Sequence, residues 1–244
     1  GLVFVGLGLY FIFRSLCTNS EDVLHLIRIL ALLLAPVCLE MIQEKLFSRN
    51  LFSVFGGLPA SVVIRDGKIR AQGPFGHPIL AGTVGAVTLP LFLAIWKKDR
   101  RLAKIGTASS IGMVLASASS GPLLSAITSV MALLFWPYRR FTSQLRIGCV
   151  CAYLALEVVM RRPAYFIIAS LDVTGSSTGW HRAELIRSAI QHLNEWWLAG
   201  TDVTRHWMPT GVSWSPDHTD ITNHYIKQGV LGGLPLMFLL ITLF

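Results

Sequence analysis

The chain has 244 residues, 53% of them hydrophobic and only 14% charged, with a mean hydropathy of +0.58. A soluble domain carries roughly 25% charged residues, so the composition excludes a disordered chain and a nucleic-acid-binding tail, argues against a soluble enzyme, and fits a polytopic membrane protein. The net charge of +8 then concerns topology and anionic ligands; no nucleic-acid partner is expected.

A bilayer-crossing helix needs about 20 mostly apolar residues. The first candidate is the apolar run 1–13, which lacks the basic n-region and cleavage site of a signal peptide. Val23–Met41 and Pro78–Trp96 follow, the latter ended by Lys97-Lys98-Asp99-Arg100-Arg101. Ile105–Trp136 is interrupted by Ser117-Ala118-Ser119-Ser120-Gly121-Pro122, and Leu145–Met160 and Tyr225–Phe244 close the series. Because the chain starts and stops inside apolar runs, it is expected to be a fragment.

The basic clusters at 97–104 and 139–146 are expected on the cytoplasmic side. The run between them then crosses twice, as two arms of about 15 residues, or ~23 Å at 1.5 Å per residue, short of a ~30 Å core. Its Ser-Ser-Gly-Pro turn is expected to be sunk into the protein, a single kinked span being the alternative. The expected fold is therefore all-α: a single membrane domain over 1–244 with about seven spans. Two segments lie outside the membrane on the far side, a first loop at 43–77 and a large loop at 161–223. Both carry arginines against the orientation rule, which long loops tolerate. Within the large loop, Leu185, Ile186, Ala189, Ile190, Leu193, Trp196 and Trp197 recur at helical spacing. They predict an amphipathic helix over 180–198, capped by Ser176, Ser177 or Thr178 and lying on the membrane surface.

The four cysteines, Cys17, Cys38, Cys149 and Cys151, lie in or beside apolar runs without metal-ligand spacing, and buried inert thiols are expected. No nucleotide-binding loop, zinc-protease helix or nucleophile elbow is present. Three polar constellations remain. Arg70-Ala-Gln-Gly-Pro-Phe-Gly-His77-Pro78 is a tight non-helical approach to an apolar helix. Its Arg70 suits either a phosphate group or lipid headgroups, and His77 flanks it. Trp180-His181-Arg182-Ala183-Glu184 places Arg182 at a helix start, where anions are favoured, unless Arg182 and Glu184 simply pair. Asp217-His218-Thr219-Asp220-Ile221-Thr222-Asn223-His224-Tyr225-Ile226 leads into the last apolar run. Its histidines can act as general base or as donors to phosphate, or the segment is a polar loop with Asp220 or Asn223 as helix cap. Glu40 and Glu157, near span ends, are further ionisable candidates.

In this order the segments resemble the O-antigen ligase and O-antigen polymerase superfamily of bacterial inner-membrane proteins. The likeness covers about residue 65 to the end. Arg70-Ala-Gln-Gly-Pro-Phe-Gly-His-Pro is similar to the family's arginine-bearing approach to a span. Ser117-Ala-Ser-Ser-Gly-Pro resembles a Thr-x-Ser-Arg-Gly segment without its arginine. Gly175-Ser-Ser-Thr-Gly-Trp-His-Arg182 with Leu198-Ala-Gly200-Thr resembles the family's periplasmic arginine helix. Asp220-Ile-Thr-Asn223-His-Tyr225-Ile226 with Gly229 and Gly232 resembles the lead-in to a late span. The resemblance implies a GT-C-type helical bundle and a metal-independent, cofactor-free transfer of a polyprenyl-pyrophosphate-linked glycan to a lipid or saccharide acceptor at the periplasmic face. It implies Arg70, His77, His181, Arg182, Asn223 and Tyr225 as substrate-binding residues and His218, Asp220 and His224 as catalytic ones, with His218 preferred because Asp217 and Asp220 flank it. The alternatives are a transporter or flippase for an anionic lipid or solute, and an assembly subunit of a polysaccharide export complex.

Overall fold

The structure, a computed structural model, describes residues 2–65, 67–160, 163–170, 178–213 and 215–243. Its elements are α1 (Leu2–Leu16), α2 (Ser20–Phe47), β1 (Val63–Arg65), β2 (Lys68–Arg70), α3 (Pro78–Ala94), α4 (Arg100–Ala116), α5 (Ser120–Leu134), α6 (Thr142–Val159), α7 (Ile167–Ser170), α8 (Thr178–Gln191), α9 (Leu193–Trp196) and α10 (His224–Leu243). The described fold is thus helical, relieved by one antiparallel hairpin in which Val63 faces Arg70. Ser20–Phe47, Trp136–Val159 and His224–Leu243 are long and apolar enough to cross a membrane, whereas Leu7–Leu16, Pro78–Ala94 and Ser120–Leu134 are apolar but shorter. The class is therefore an α-helical membrane protein. Exposed apolar surface agrees with it: α6 buries no residue, and Val158 and Val159 are 86% and 81% exposed, surface that water would not tolerate in a contiguous patch. Cys149 and Cys151 lie on this helix and are exposed, so the expectation of buried thiols fails for them, while Cys38 is buried.

The chain forms two compact units, Gly1–Arg140 and Phe141–Phe244. In the first, α3 packs against both α4 and α5. Small residues let the backbones close in, as expected between helices that share no hydrophobic drive in lipid. Gly106 lies beneath the buried ring of Phe92, and Gly85 lies against Ser110, Met113 and Val114. Thr88 and Ser110 share a buried hydrogen bond of 2.9 Å. Phe92 meets the start of α4 and Gly82 meets Ser117 at its end, so α3 and α4 run antiparallel. Pro122 also abuts Gly82, and Ala126 packs with Ala86 and Leu89. The chain therefore reverses at Ser117–Ser119, with Ala118 at φ 44: two helices rather than one kinked one.

One boundary differs from expectation. The apolar run of α2 stops near Met41, yet the helix continues to Phe47, and Glu40 and Glu44 are buried. The first loop therefore starts at Ser48 and not at Gln43. The extra turn is held by that loop. Glu44 accepts from the backbone N–H of Gln72 and Gly73 at 3.0 and 2.8 Å, and Glu40 accepts from that of Leu51 at 3.0 Å. At the opposite end of α2, Arg28 pairs with Asp99 at 3.2 Å, and Asp99 also caps α4 through Leu102. Residues 48–77 and the 117–119 turn thus share one end of this unit, and the basic 97–104 segment lies at the other.

In the second unit α10 is kinked at Gly232 and Gly233. The kink releases the Val230 carbonyl, which accepts from Thr201 N, and Leu234 N donates to the Trp197 carbonyl, both at 2.8 Å. Gly233 has φ 77 and ψ 177, a region reserved for glycine, and a Cβ there would strike the Leu198 carbonyl. The Leu198-Ala-Gly200-Thr201 and Gly229…Gly233 segments are joined through this backbone contact, while Trp196 packs on Gly229.

Candidate functional site

Arg70 ends β2 and is 6% exposed. Its Nη2 donates to Ser119 Oγ at 2.9 Å and its Nε to the Ser117 carbonyl at 3.4 Å. Next to it, Ala71 N donates to the Ala116 carbonyl at 3.1 Å. The Arg70 and Ser117–Ser119 segments, distant in sequence, therefore form one structure: a buried guanidinium closing the reversal between α4 and α5. A charge placed here demands partners, because an uncompensated buried ion costs several kcal/mol. His77 is the N-cap of α3, its Nδ1 accepting from Ile79 N at 3.1 Å. An accepting Nδ1 puts the ring proton on Nε2. Burial, and then the positive charge of Arg70, hold this imidazole below the usual histidine range.

The second unit holds an open cleft of about 320 Å³ where the polar 201–221 segment meets α10, lined among others by His218, Asp220, Asp202, Thr201 and Lys227. Its wall is built by Thr204. Thr204 Oγ1 accepts from Thr219 N at 3.0 Å, the Thr204 carbonyl accepts from Thr219 Oγ1 at 3.2 Å, and the Asp217 carbonyl accepts from Thr204 N and Arg205 N. His218 is fixed through its backbone carbonyl, which accepts from Ser213 Oγ, and its ring is exposed. Among the described residues no hydrogen bond joins that ring to Asp217 or Asp220, so the expected polarisation of His218 by a carboxylate contact is not made. Val230 and Leu231, at the kink, complete the apolar side of the cleft. An exposed imidazole and an ammonium at one wall can take a proton from a hydroxyl and attract anionic oxygens.

Asn223 resolves into the helix cap: its Oδ1 accepts from Tyr225 N and Ile226 N at 3.0 and 3.2 Å. His224 and Tyr225 are exposed on the first turn of α10 and do not line the cleft. Arg182 is exposed on α8, also away from that lining, and Glu184 pairs with Arg187 at 3.7 Å. The Nε2 of His181 is buried and without a hydrogen-bond partner among the described residues. Ser176 and Ser177, expected as caps, lie outside the described residues, and Thr178 is the first residue of α8. The predicted helix 180–198 is broken at His192, giving α8 and α9. Its apolar stripe is split: Leu185, Ala189 and Trp196 are buried, while Ile190 and Trp197 are 57% and 51% exposed.

Three features escaped the sequence. Lys227 is the one Asp, Glu, Lys or Arg within α10, a signal present but read as part of a span. Glu44 looked like a loop residue. Around the break at His192, Glu195 Oε1 meets His192 Nδ1 at 2.7 Å, its Oε2 meets His206 Nε2 at 2.9 Å, and Trp207 Nε1 donates to Oε2 at 2.9 Å. Burial pushes the Glu195 carboxyl up, but the three donors outweigh it and bring it down to about 2.

No family model matches the chain, and no curated protein or solved structure matches it.

Proposed function

We propose that the chain is a membrane glycosyltransferase of O-antigen ligase or polymerase type, working at the periplasmic face of the bacterial inner membrane. It transfers a polyprenyl-pyrophosphate-linked saccharide to a lipid or saccharide acceptor without a metal in the reaction, on a GT-C-type arrangement of helices. The observation that supports this is the cleft beside α10, where His218, Asp220 and Lys227 stand together with hydroxyl and carboxylate groups at the mouth of an apolar helix. Such a place suits a donor with a sugar in water and an isoprenoid tail in lipid.

In this scheme the acceptor oxygen attacks the anomeric carbon, and the bond from that carbon to the pyrophosphate oxygen breaks. His218 takes the acceptor proton, and polyprenyl pyrophosphate leaves as the anion. Lys227, which lines the cleft, balances the charge that develops on the leaving group. Arg70 takes no direct part in this scheme, its guanidinium being committed to the 117–119 turn.

Deleting the gene in its host and analysing extracted polyprenyl-pyrophosphate glycans by mass spectrometry tests the proposal. Accumulated long polymers identify a ligase and accumulated single repeat units a polymerase. Unchanged lipid-linked glycans contradict transfer. That outcome would favour a transporter or flippase for an anionic lipid or solute, in which Glu40 and Glu44 are candidates for carrying a coupled proton and not for holding the anion. Each is buried in α2 with one carboxylate oxygen lacking a hydrogen-bond partner among the described residues, and ionisable groups inside spans commonly serve transport.

A further inference from the structure

His192, Glu195 and His206 come from two segments: the break between α8 and α9, and the turn Arg205–Trp207. Their ligand-type atoms, one per residue, all lie within 4.8 Å of one another. His192 Nδ1 and His206 Nε2 both aim at the same carboxylate, at 2.7 and 2.9 Å. The two imidazoles meet edge to face with centroids 5.0 Å apart, and the His192 ring stacks on Trp207 at 5.6 Å with an interplanar angle of 8°. Trp207, itself buried, orients the carboxylate through its indole N–H. This is the pattern of a metal ligand held by an outer partner.

We infer that His192, Glu195 and His206 form a divalent transition-metal site, of the kind that takes Zn²⁺. Two imidazoles and one carboxylate are borderline donors that suit Zn²⁺, Cu²⁺, Ni²⁺ or Fe²⁺ and not Ca²⁺ or Mg²⁺. Three protein ligands leave a coordination position for water. On binding, each histidine carries its proton on the other ring nitrogen and turns a lone pair to the cation. The facing atoms separate by a few tenths of an ångström to reach the ligand–ligand spacing that bonds of about 2.0–2.1 Å require. The ion is placed to clip α9 to the 205–207 turn. That turn follows directly from Thr204, whose hydrogen bonds hold Thr219 and Asp217 at the cleft. The site is therefore a staple for the wall of the cleft, separate from its lining residues. It stands whether or not glycan transfer is the activity.

The test uses the whole chain, purified in detergent without a polyhistidine tag, stripped with chelator and titrated with Zn²⁺ against a chromogenic chelator. One equivalent is expected to bind, and to raise the thermal midpoint. His206→Ala, at a half-exposed side chain, and the near-isosteric Glu195→Gln should each weaken binding by at least about tenfold and abolish the thermal shift. A Cys149→Ser/Cys151→Ser variant should bind as the parent does, and Co²⁺ should give ligand-field bands without a thiolate charge-transfer band. Failure of the parent chain to bind one equivalent overturns the inference. So does binding unchanged in both His206→Ala and Glu195→Gln, or binding lost in the cysteine variant.

Discussion

Arg70 and His218 occupy similar places in the sequence, each in a polar stretch leading to an apolar helix, and the fold treats them differently. Arg70 is buried and spent on protein partners, Ser119 Oγ and the Ser117 carbonyl. Among the described residues His218 is held through its backbone carbonyl, and the residue is exposed in a cleft with Asp220 and Lys227. Two motifs of equal standing in a resemblance thus divide into one that is built into the fold and one that stands exposed. An arginine fork is the right group for either purpose, so residue type alone does not separate them; burial and partners do.

Substitutions test that division. The largest effect is expected at the kink that shapes the cleft. Gly233→Ala combines a backbone region closed to other residues with a collision at the Leu198 carbonyl. It should cost at least about 3 kcal/mol and lower the membrane level of the protein. Gly121→Ala, with open space around it and no positive φ, is the matched control and should be neutral in thermal unfolding. Arg70→Ala comes next. It strips the buried Ser117 carbonyl and Ser119 hydroxyl of a charged donor and should cost about 2–4 kcal/mol. Arg70→Lys should recover little, because a single ammonium cannot reproduce the two directed contacts. Arg70→Ala at the normal level and melting temperature would mean the guanidinium is held for a ligand after all.

A smaller effect is expected at His77. Its neutral form is the one that caps α3, and its folded value lies below the ordinary 6.5. The cap's contribution is therefore fully present above 6.5 and is lost as pH falls through the lowered folded value. Nuclear magnetic resonance of ring-labelled histidine should find His77 titrating below the ordinary 6.5; a value at or above 6.5 contradicts this. The smallest stability effects are expected at the cleft itself. His218→Ala and Lys227→Ala should stay within about 0.5 kcal/mol of the parent in thermal unfolding; a loss of several kcal/mol in either would move that residue from the available group to the built one.

The helices could largely be read from the sequence because apolar runs and their punctuation are local. Ser117-Ala-Ser-Ser-Gly-Pro reads as a reversal with one kinked span as the alternative, and Asn223 as one of two candidate caps; the structure has the reversal and the Asn223 cap. What could not be read depends on distant backbone. Glu40 looked like a residue near a span end and Glu44 like a loop residue, but the N–H groups of Leu51, Gln72 and Gly73 fold back to make both buried residues at the end of α2. The stripe from Leu185 to Trp197 has unbroken helical periodicity, and nothing local shows that His192 leaves the helix to meet Glu195. His206 and Trp207, with no periodicity of their own, could be joined to that pair only through the tertiary fold. At the site, the polar cluster 217–220 was visible, but Lys227 was masked by its apolar helix, and the direction of the His218 ring relative to its acidic neighbours was not encoded in spacing.

The most direct measurement is complementation of the gene deletion by His218→Ala, with polyprenyl-pyrophosphate glycans quantified by mass spectrometry and membrane protein levels followed in parallel. A variant present at the parent level that leaves the lipid-linked glycan accumulated, with transfer reduced by about 10²-fold or more as expected for loss of a general base, is the predicted result. Full restoration of transfer by His218→Ala would contradict the assignment of chemistry to this cleft.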